Sequence, residues 1–163
     1  MIDPRKDINC LNKWNDFVLP PSVLALKKIL RNLNYRIIDK NVVIIGAGLL
    51  IGQPISNYLE GKVKQLTVFR SNNDLNGSFE ADVLREADLI ITGTGKTGLV
   101  HPGMLKAGAG VIDFGNGDLS LDDKKFLDQL SFYTPRIGGT GPIMVACLFQ
   151  NFYRLTELQI RIQ

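Results

Sequence analysis

Apolar and polar positions along the chain fall into two alternating patterns. Residues 42–45 (VVII), 65–69 (QLTVF), 88–92 (DLIIT) and 110–114 (GVIDF) are short, rich in β-branched side chains and bounded by turn formers, which predicts strands, with a further short one at Phe132-Tyr133. Between them the period changes. Pro21 opens a helix in which Val23, Leu26, Leu30 and Leu33 share one face while Lys27, Lys28 and Arg31 take the other. Further helices are predicted over 51–59, ended by Gly61; over 79–86, with Ser78 as cap; over 121–130; and from about 143 to 158. Residues 104–107 suffice for a helical turn only, and Asn72-Asn73-Asp74 and Asn76-Gly77 read as turns. The start of the last helix, IMVACLF, is apolar on every side and is expected to be buried, as core or as a seam with another domain or subunit. Residues 1–20 form a polar lead-in broken by Pro4 and Pro20, which looks like the continuation of something upstream.

Strands that alternate with helices at intervals of about 20 to 25 residues imply right-handed crossovers and a parallel sheet. The expected fold is therefore α/β: a doubly wound, Rossmann-like parallel sheet in a single domain. Such sheets bind ligands beyond the carboxyl ends of their strands. Residues 46–52, 70–71, 93–98 and 115–117 all follow strands directly, so four glycine-rich or polar loops are expected to converge on one edge.

The first of these loops has the clearest chemistry. In VVIIGAGLLIGQP, Gly46 and Gly48 allow a tight turn and close approach of backbone to a phosphate, Ala47 lies between them, and Gly52 stands at the predicted helix start, whose amide dipoles attract negative charge. The spacing Gly-x-Gly-x-x-x-Gly is one residue longer than the usual dinucleotide fingerprint, and an ordinary glycine-rich turn is the alternative. Where sites for an unphosphorylated ribose carry an acid, after the second strand, this chain has Arg70 and Ser71. A guanidinium can fork onto a 2′-phosphate, so NADP is favoured over NAD. Asp74, a few residues on, keeps NAD open, and a solvated arginine is the alternative for Arg70.

Composition narrows the partners. The 163 residues, 45% hydrophobic, are enough for one domain with its own core. Lys+Arg total 19 against Asp+Glu 16 with no long run of like charge, which argues against nucleic acid as a partner and suits a small anion. Cys10 and Cys147 stand far apart and are expected to be reduced thiols in a cytoplasmic protein; neither a metal-ligand cluster, a membrane-spanning stretch nor a signal core is present. His101 is the only histidine and, ahead of Pro102-Gly103, reads as a loop residue. Asp113 could hold a ribose hydroxyl or cap local backbone, Lys96 could meet phosphate or solvent, and Trp14 reads as a packing residue.

Several segments together resemble one family, the bifunctional methylenetetrahydrofolate dehydrogenase/methenyltetrahydrofolate cyclohydrolases. IDPRKDIN at the start resembles I-x-P-x-K-D-V-D, GAGLLIGQP resembles G-x-S-x-x-V-G-x-P, and ADLII followed by GKTG resembles A-D-I-x-I-x-A-x-G-K-P-x. GAGVIDFGN is similar to G-A-x-V-I-D-V-G-I, and TPRIGGTGP to T-P-V-P-G-G-V-G-P. The resemblance covers the family's C-terminal half, and an NAD(P) dehydrogenase domain for another substrate, or a non-catalytic nucleotide-binding or interaction remnant, is the alternative. The resemblance implies a lead-in and linking helix over 1–38 toward an absent N-terminal catalytic domain, an NAD(P)-binding domain over 39–141, and a helix over 142–163 returning toward the absent domain.

By the same resemblance Gly46, Ala47, Gly48, Gly52 and Gly95 serve the coenzyme, with Arg70 and Ser71 at its adenosine phosphate and Asn116 near the nicotinamide. Asn9, Gly138, Gly139, Thr140 and Gly141 would serve a tetrahydrofolate derivative, and a homodimer through the cofactor domain is left open. The family's catalytic Tyr-x-x-x-Lys belongs to the absent domain; the same spacing at Tyr58 and Lys62 straddles Gly61 and is taken as coincidence. No catalytic or metal-binding residue is therefore assigned. The chain departs from the pattern at Asn9, where the family has an acid, at Cys10 and Gly48, where it has glycine and serine, and at Arg136-Ile137, where Ile137 stands in place of the proline before the double glycine.

Overall fold

The parallel sheet is built from five short strands, the three central ones almost wholly buried. A computed structural model describes residues 2–12, 16–70 and 78–161, so Trp14, Ser71 and the turn residues 72–77 lie outside the described residues. The strands are β1 (Asn41–Ile45), β2 (Gln65–Phe69), β3 (Leu89–Thr92), β4 (Gly110–Asp113) and β5 (Phe132–Tyr133), all parallel, in the order β2-β1-β3-β4-β5. Every residue of β3 and β4 is buried, as are the last four of β1, as expected of strands covered on both sides.

Helices lie on both faces, which makes the sheet doubly wound. On one side α1 (Pro21–Asn32) and α2 (Gly52–Leu59) pack Val23, Leu26, Ile55 and Leu59 onto Val42, Ile44, Ile91 and Ile112. On the other, α3 (Ser78–Glu86) and α4 (Lys124–Leu127) bring Leu84 and Leu127 against Val43, Ile45, Ile90 and Val111. The crossover from β1 runs over the first face and that from β2 over the second, so the order of the strands reverses between β1 and β3. A last helix, α5 (Thr140–Ile160), packs along α1.

The lead-in is tied down by side chains. Asn151, 2% exposed on α5, donates through Nδ2 to the carbonyls of Ile8 (2.9 Å) and Leu19 (2.8 Å), and Gln159 donates to Arg5 O at 2.7 Å.

Four expectations need correction. The helix expected over 121–130 is confined to Lys124–Leu127: Ser120 Oγ bonds the Asp122 carboxylate at 2.9 Å, and that local bond competes with helix start, while the chain beyond Leu127 tightens into i→i+3 turns. The turn expected over 104–107 falls instead on Pro102–Met104, where His101 Nδ1 accepts the Gly103 N–H at 3.2 Å. Leu33, read as a core position of the first helix, caps that helix and is 44% exposed.

The last correction concerns α5. It starts at Thr140, earlier than expected, because Pro142 in a first turn needs no N–H partner and Thr140 anchors the end by donating to Asp113 O at 2.8 Å. The IMVACLF stretch is not buried all round. Cys147 is fully buried, but Val145 and Phe149 are 54% and 66% exposed, and Phe152 and Ile160 continue the apolar stripe along the surface.

Candidate coenzyme-binding site

The strand-end loops converge because two buried carboxylates and three crowded glycines hold them there. Gly46 follows β1 with φ +96°, and a Cβ on it would lie 2.9 Å from Thr94 Cγ2 and 3.0 Å from Gly93 O. A Cβ on Gly93 would in turn reach Ile51 Cγ2 at 2.6 Å. The loops after β1 and β3 thus touch at the point where strand order reverses. Gly52 fixes how closely α2 approaches: a Cβ there would overlap Gly46 O. Gly48 is different, being exposed with nothing within 4 Å of a Cβ.

The geometry fits a pyrophosphate. Among the described residues the amides of Gly46, Ile51 and Gln53 bond to carbonyls of Phe69 and Gly48, whereas those of Ala47, Gly48, Leu49, Leu50 and Gly52 meet no protein acceptor. The first turn of α2 holds no acid and no side-chain cap, so nothing competes with an incoming anion for the amides or the positive end of the helix dipole. Leu49 and Leu50 point outward, 62% and 53% exposed, and leave the turn open.

The other half of the edge is organised by Asp113 and Asp118. Asp113 Oδ1 accepts from Gly115 N–H (2.7 Å) and Thr92 Oγ1 (3.1 Å), and Oδ2 from the N–H groups of Gly117 (3.0 Å) and Leu119 (3.1 Å). Of the two roles open to it, the observed one is the cap for local backbone. Asp118, fully buried, accepts from Thr94 N–H at 2.7 Å and Lys96 N–H at 2.8 Å. Gly98 N–H donates to Gly117 O at 2.8 Å and closes the loops after β3 and β4 on each other. Asp118 was not singled out from sequence. Its one signal is the short spacing to Gly115, where a Cβ would overlap its carboxylate.

The remaining candidates divide by exposure. Gly95 (φ +71°) and Asn116 (φ +61°) sit exposed on the loops after β3 and β4, in the left-handed conformation that tight turns demand. Arg70 is exposed directly after β2, and Lys96 offers its backbone to Asp118 while its side chain stays at the surface. Gly138 and Gly141 are surface positions, but Gly139 and Thr140 are buried: a Cβ at Gly139 would overlap Pro135 O, and the Thr140 hydroxyl is bonded to Asp113 O. These two shape the loop rather than face out of it.

Asn9 lies half-buried in the lead-in, beside a groove of about 630 Å³ that Cys10, Leu19, Leu49, Gln53 and Tyr58 help to line between the lead-in and α2. Lys62 Nζ bonds Tyr58 O at 2.7 Å and stands over its ring, a contact local to the end of α2. Among the described residues no cluster of His, Cys, Asp or Glu could hold a metal ion, and no helix is long and apolar enough to cross a membrane.

Fold and loops together define a dinucleotide-binding domain of the doubly wound class. The comparisons with known proteins agree. Residues 20–160 match the family described as tetrahydrofolate dehydrogenase/cyclohydrolase, NAD(P)-binding domain, and the chain belongs to that family. The bifunctional protein FolD of Staphylococcus aureus strain Newman is 30% identical over 92% of this chain and 56% of its own length, and that of Lactobacillus helveticus is 30% identical over 97% and 60%.

Among solved structures, a 5,10-methylenetetrahydrofolate dehydrogenase from the silkworm Bombyx mori superposes with TM-score 0.85 at 28% identity, covering 98% of this chain and 62% of that one. The Trypanosoma brucei methylenetetrahydrofolate dehydrogenase-cyclohydrolase complexed with NADP cofactor and inhibitor gives 0.82 at 26% identity, covering 98% and 61%. The chain thus spans little more than half the length of these relatives.

Proposed function

We propose that this chain is the NADP-binding portion of an enzyme that oxidises 5,10-methylenetetrahydrofolate to methenyltetrahydrofolate, the product being hydrolysed to 10-formyltetrahydrofolate with groups from a further domain. The observation that carries this is the open turn at 46–52, in which the amides of Ala47, Gly48, Leu49, Leu50 and Gly52 meet no protein acceptor. Family membership and the solved Trypanosoma relative with NADP support it.

Bound NADP would supply a nicotinamide that accepts hydride from the methylene carbon. This chain's part is positional. Amides of Ala47, Gly48 and Gly52 hold the pyrophosphate, and Arg70, with Ser71, meets the 2′-phosphate. The loops held by Asp113 and Asp118 fix the nicotinamide end near Asn116. Rigid alignment of the two reactants accounts for most of the acceleration expected of such a step. Asn9, Gly138 and Gly141 would face the folate, with Gly139 and Thr140 supporting them. We assign the exposed stripe of α5 and the lead-in to contact with the rest of the family's chain, or with a second subunit through this domain, in a cytoplasmic protein.

The test has two parts. Calorimetry with NADPH and NADH should show NADPH binding at least about tenfold tighter, as a charge-assisted contact to one phosphate provides; equal affinities would remove the 2′-phosphate role of Arg70. Adding 5,10-methylenetetrahydrofolate with NADP should give no rise in absorbance at the NADPH wavelength from this chain alone. Turnover without an upstream domain would overturn the view that the chain is catalytically incomplete.

A further inference from the structure

Arg136 stands where the family pattern has no charge, and its place in the fold gives that charge a consequence. The residue follows β5, and its guanidinium lies against Gly117 of the loop after β4: a Cβ on Gly117 would be 3.3 Å from Nε and 3.4 Å from Cζ. Gly117, with φ +132°, supplies the side-chain-free surface on which the guanidinium rests. Among the described residues Arg136 has neither a hydrogen-bond nor an ion-pair partner. The carboxylates of Asp113 and Asp118, which hold the loop on which Arg136 rests, take backbone amides as their hydrogen-bond donors and keep their charge. Arg136 is therefore an exposed cation without a direct ion-pair partner among the described residues, at the carboxyl end of the sheet on the β4–β5 side.

A dinucleotide held across the β1/β3 reversal extends both ways from its pyrophosphate. Its adenosine half runs toward β2 and Arg70, so its nicotinamide half runs toward β4 and β5, where Arg136 stands. The oxidised nicotinamide ring carries a positive charge that the reduced ring lacks, and the phosphates are common to both. We propose that Arg136 makes this site discriminate between the redox forms of its coenzyme, favouring the reduced form by repelling the oxidised ring. The proposal rests on the coenzyme reading above. In physical terms a cation near the surface acts on the difference between the two forms through a partly screened Coulomb repulsion, which salt weakens.

The experiment is a pair of titrations, NADPH and NADP, on the unaltered chain and on Arg136→Gln and Arg136→Lys, each followed by calorimetry at low and high salt. The quantity read is the ratio of the two dissociation constants. Arg136→Gln should bring the NADP and NADPH affinities closer by about fivefold, Arg136→Lys should keep most of the difference, and added salt should shrink it in the unaltered chain. An unchanged ratio in Arg136→Gln, including the case where both affinities fall together, would overturn the proposal while leaving the coenzyme site standing. Failure of both coenzymes to bind the unaltered chain would overturn site and proposal alike. Circular dichroism of the variants checks that the fold is kept, as expected for an exposed residue.

Discussion

Asp118 accepts the backbone N–H of Lys96 at 2.8 Å from a fully buried position, so the loop after β4 dictates the shape of the loop after β3. Removing that carboxylate takes the acceptor from two partly buried amides, those of Thr94 and Lys96, the second of which keeps only the Thr94 hydroxyl at 3.1 Å. Asp118→Ala should cost about 3 kcal/mol in urea unfolding, and Asp118→Asn less, because one acceptor oxygen remains. Coenzyme affinity should fall in both variants, since the contact between Gly46 and Thr94 depends on the same loop.

The three glycines of the first turn should answer differently to a single added methyl. Gly52→Ala has no space, its Cβ overlapping Gly46 O, and should lose about 2 kcal/mol or more. Gly46→Ala adds backbone strain at φ +96° and crowds Thr94, so stability and coenzyme affinity should both fall. Gly48→Ser meets nothing within 4 Å and should leave stability within about 0.5 kcal/mol. Thermal melts of the three variants read the order directly.

Glycine spacing thus made the tight turn between β1 and α2 legible in the sequence. β2 and β5 match their blocks, β1 begins one residue before its own, and β3 and β4 lie within theirs; in β1, β3 and β4 burial on both faces selects the apolar, often β-branched residues that mark them. What could not be read was long-range. Asp113 looked equally suited to a ligand or to backbone, and only the fold of residues 115–119 beneath it decides. Asp118 and Asn151 carry no local pattern, since their partners lie at 94 and 96, or at 8 and 19. The exposed stripe of α5 misled because an all-apolar helix implies burial somewhere, without saying against what.

Asn151 should prove to be the latch of the lead-in. Asn151→Leu keeps the volume but leaves the carbonyls of Ile8 and Leu19 without their donor in a half-buried setting, at a cost of about 2 kcal/mol. Hydrogen exchange should quicken over residues 2–12 while β1 and β3 keep their protection.

Acid should loosen the start of β3. Burial works to raise the pKa of Asp88, but the Lys106 ammonium at 2.7 Å and the Asn41 N–H at 2.8 Å outweigh it, and the carboxyl titrates below its ordinary value of 3.8. A folded value below the unfolded one means that the contribution is full above the unfolded pKa and is lost as pH falls through the folded one. Asp88→Asn should therefore be less stable than the unaltered chain at neutral pH, by about 1 kcal/mol given that Lys106 is partly exposed, and the gap should close on acidification below about pH 4.

Phe149 and Leu155 share a helix and should behave as opposites. Phe149, 66% exposed, should tolerate replacement by serine with little change in melting temperature, and the variant should bind less of a hydrophobic dye. Leu155, 2% exposed, should lose about 3 kcal/mol on replacement by alanine.

The most direct test is a titration of the isotope-labelled chain with NADPH, read amide by amide. The largest shifts should fall on the amides of Ala47, Gly48, Leu49, Leu50 and Gly52, saturating together with those of Gly95 and Asn116. Saturable binding that leaves the amides of residues 47–52 unmoved, or no binding at all, would contradict the assignment of this turn as the phosphate cradle.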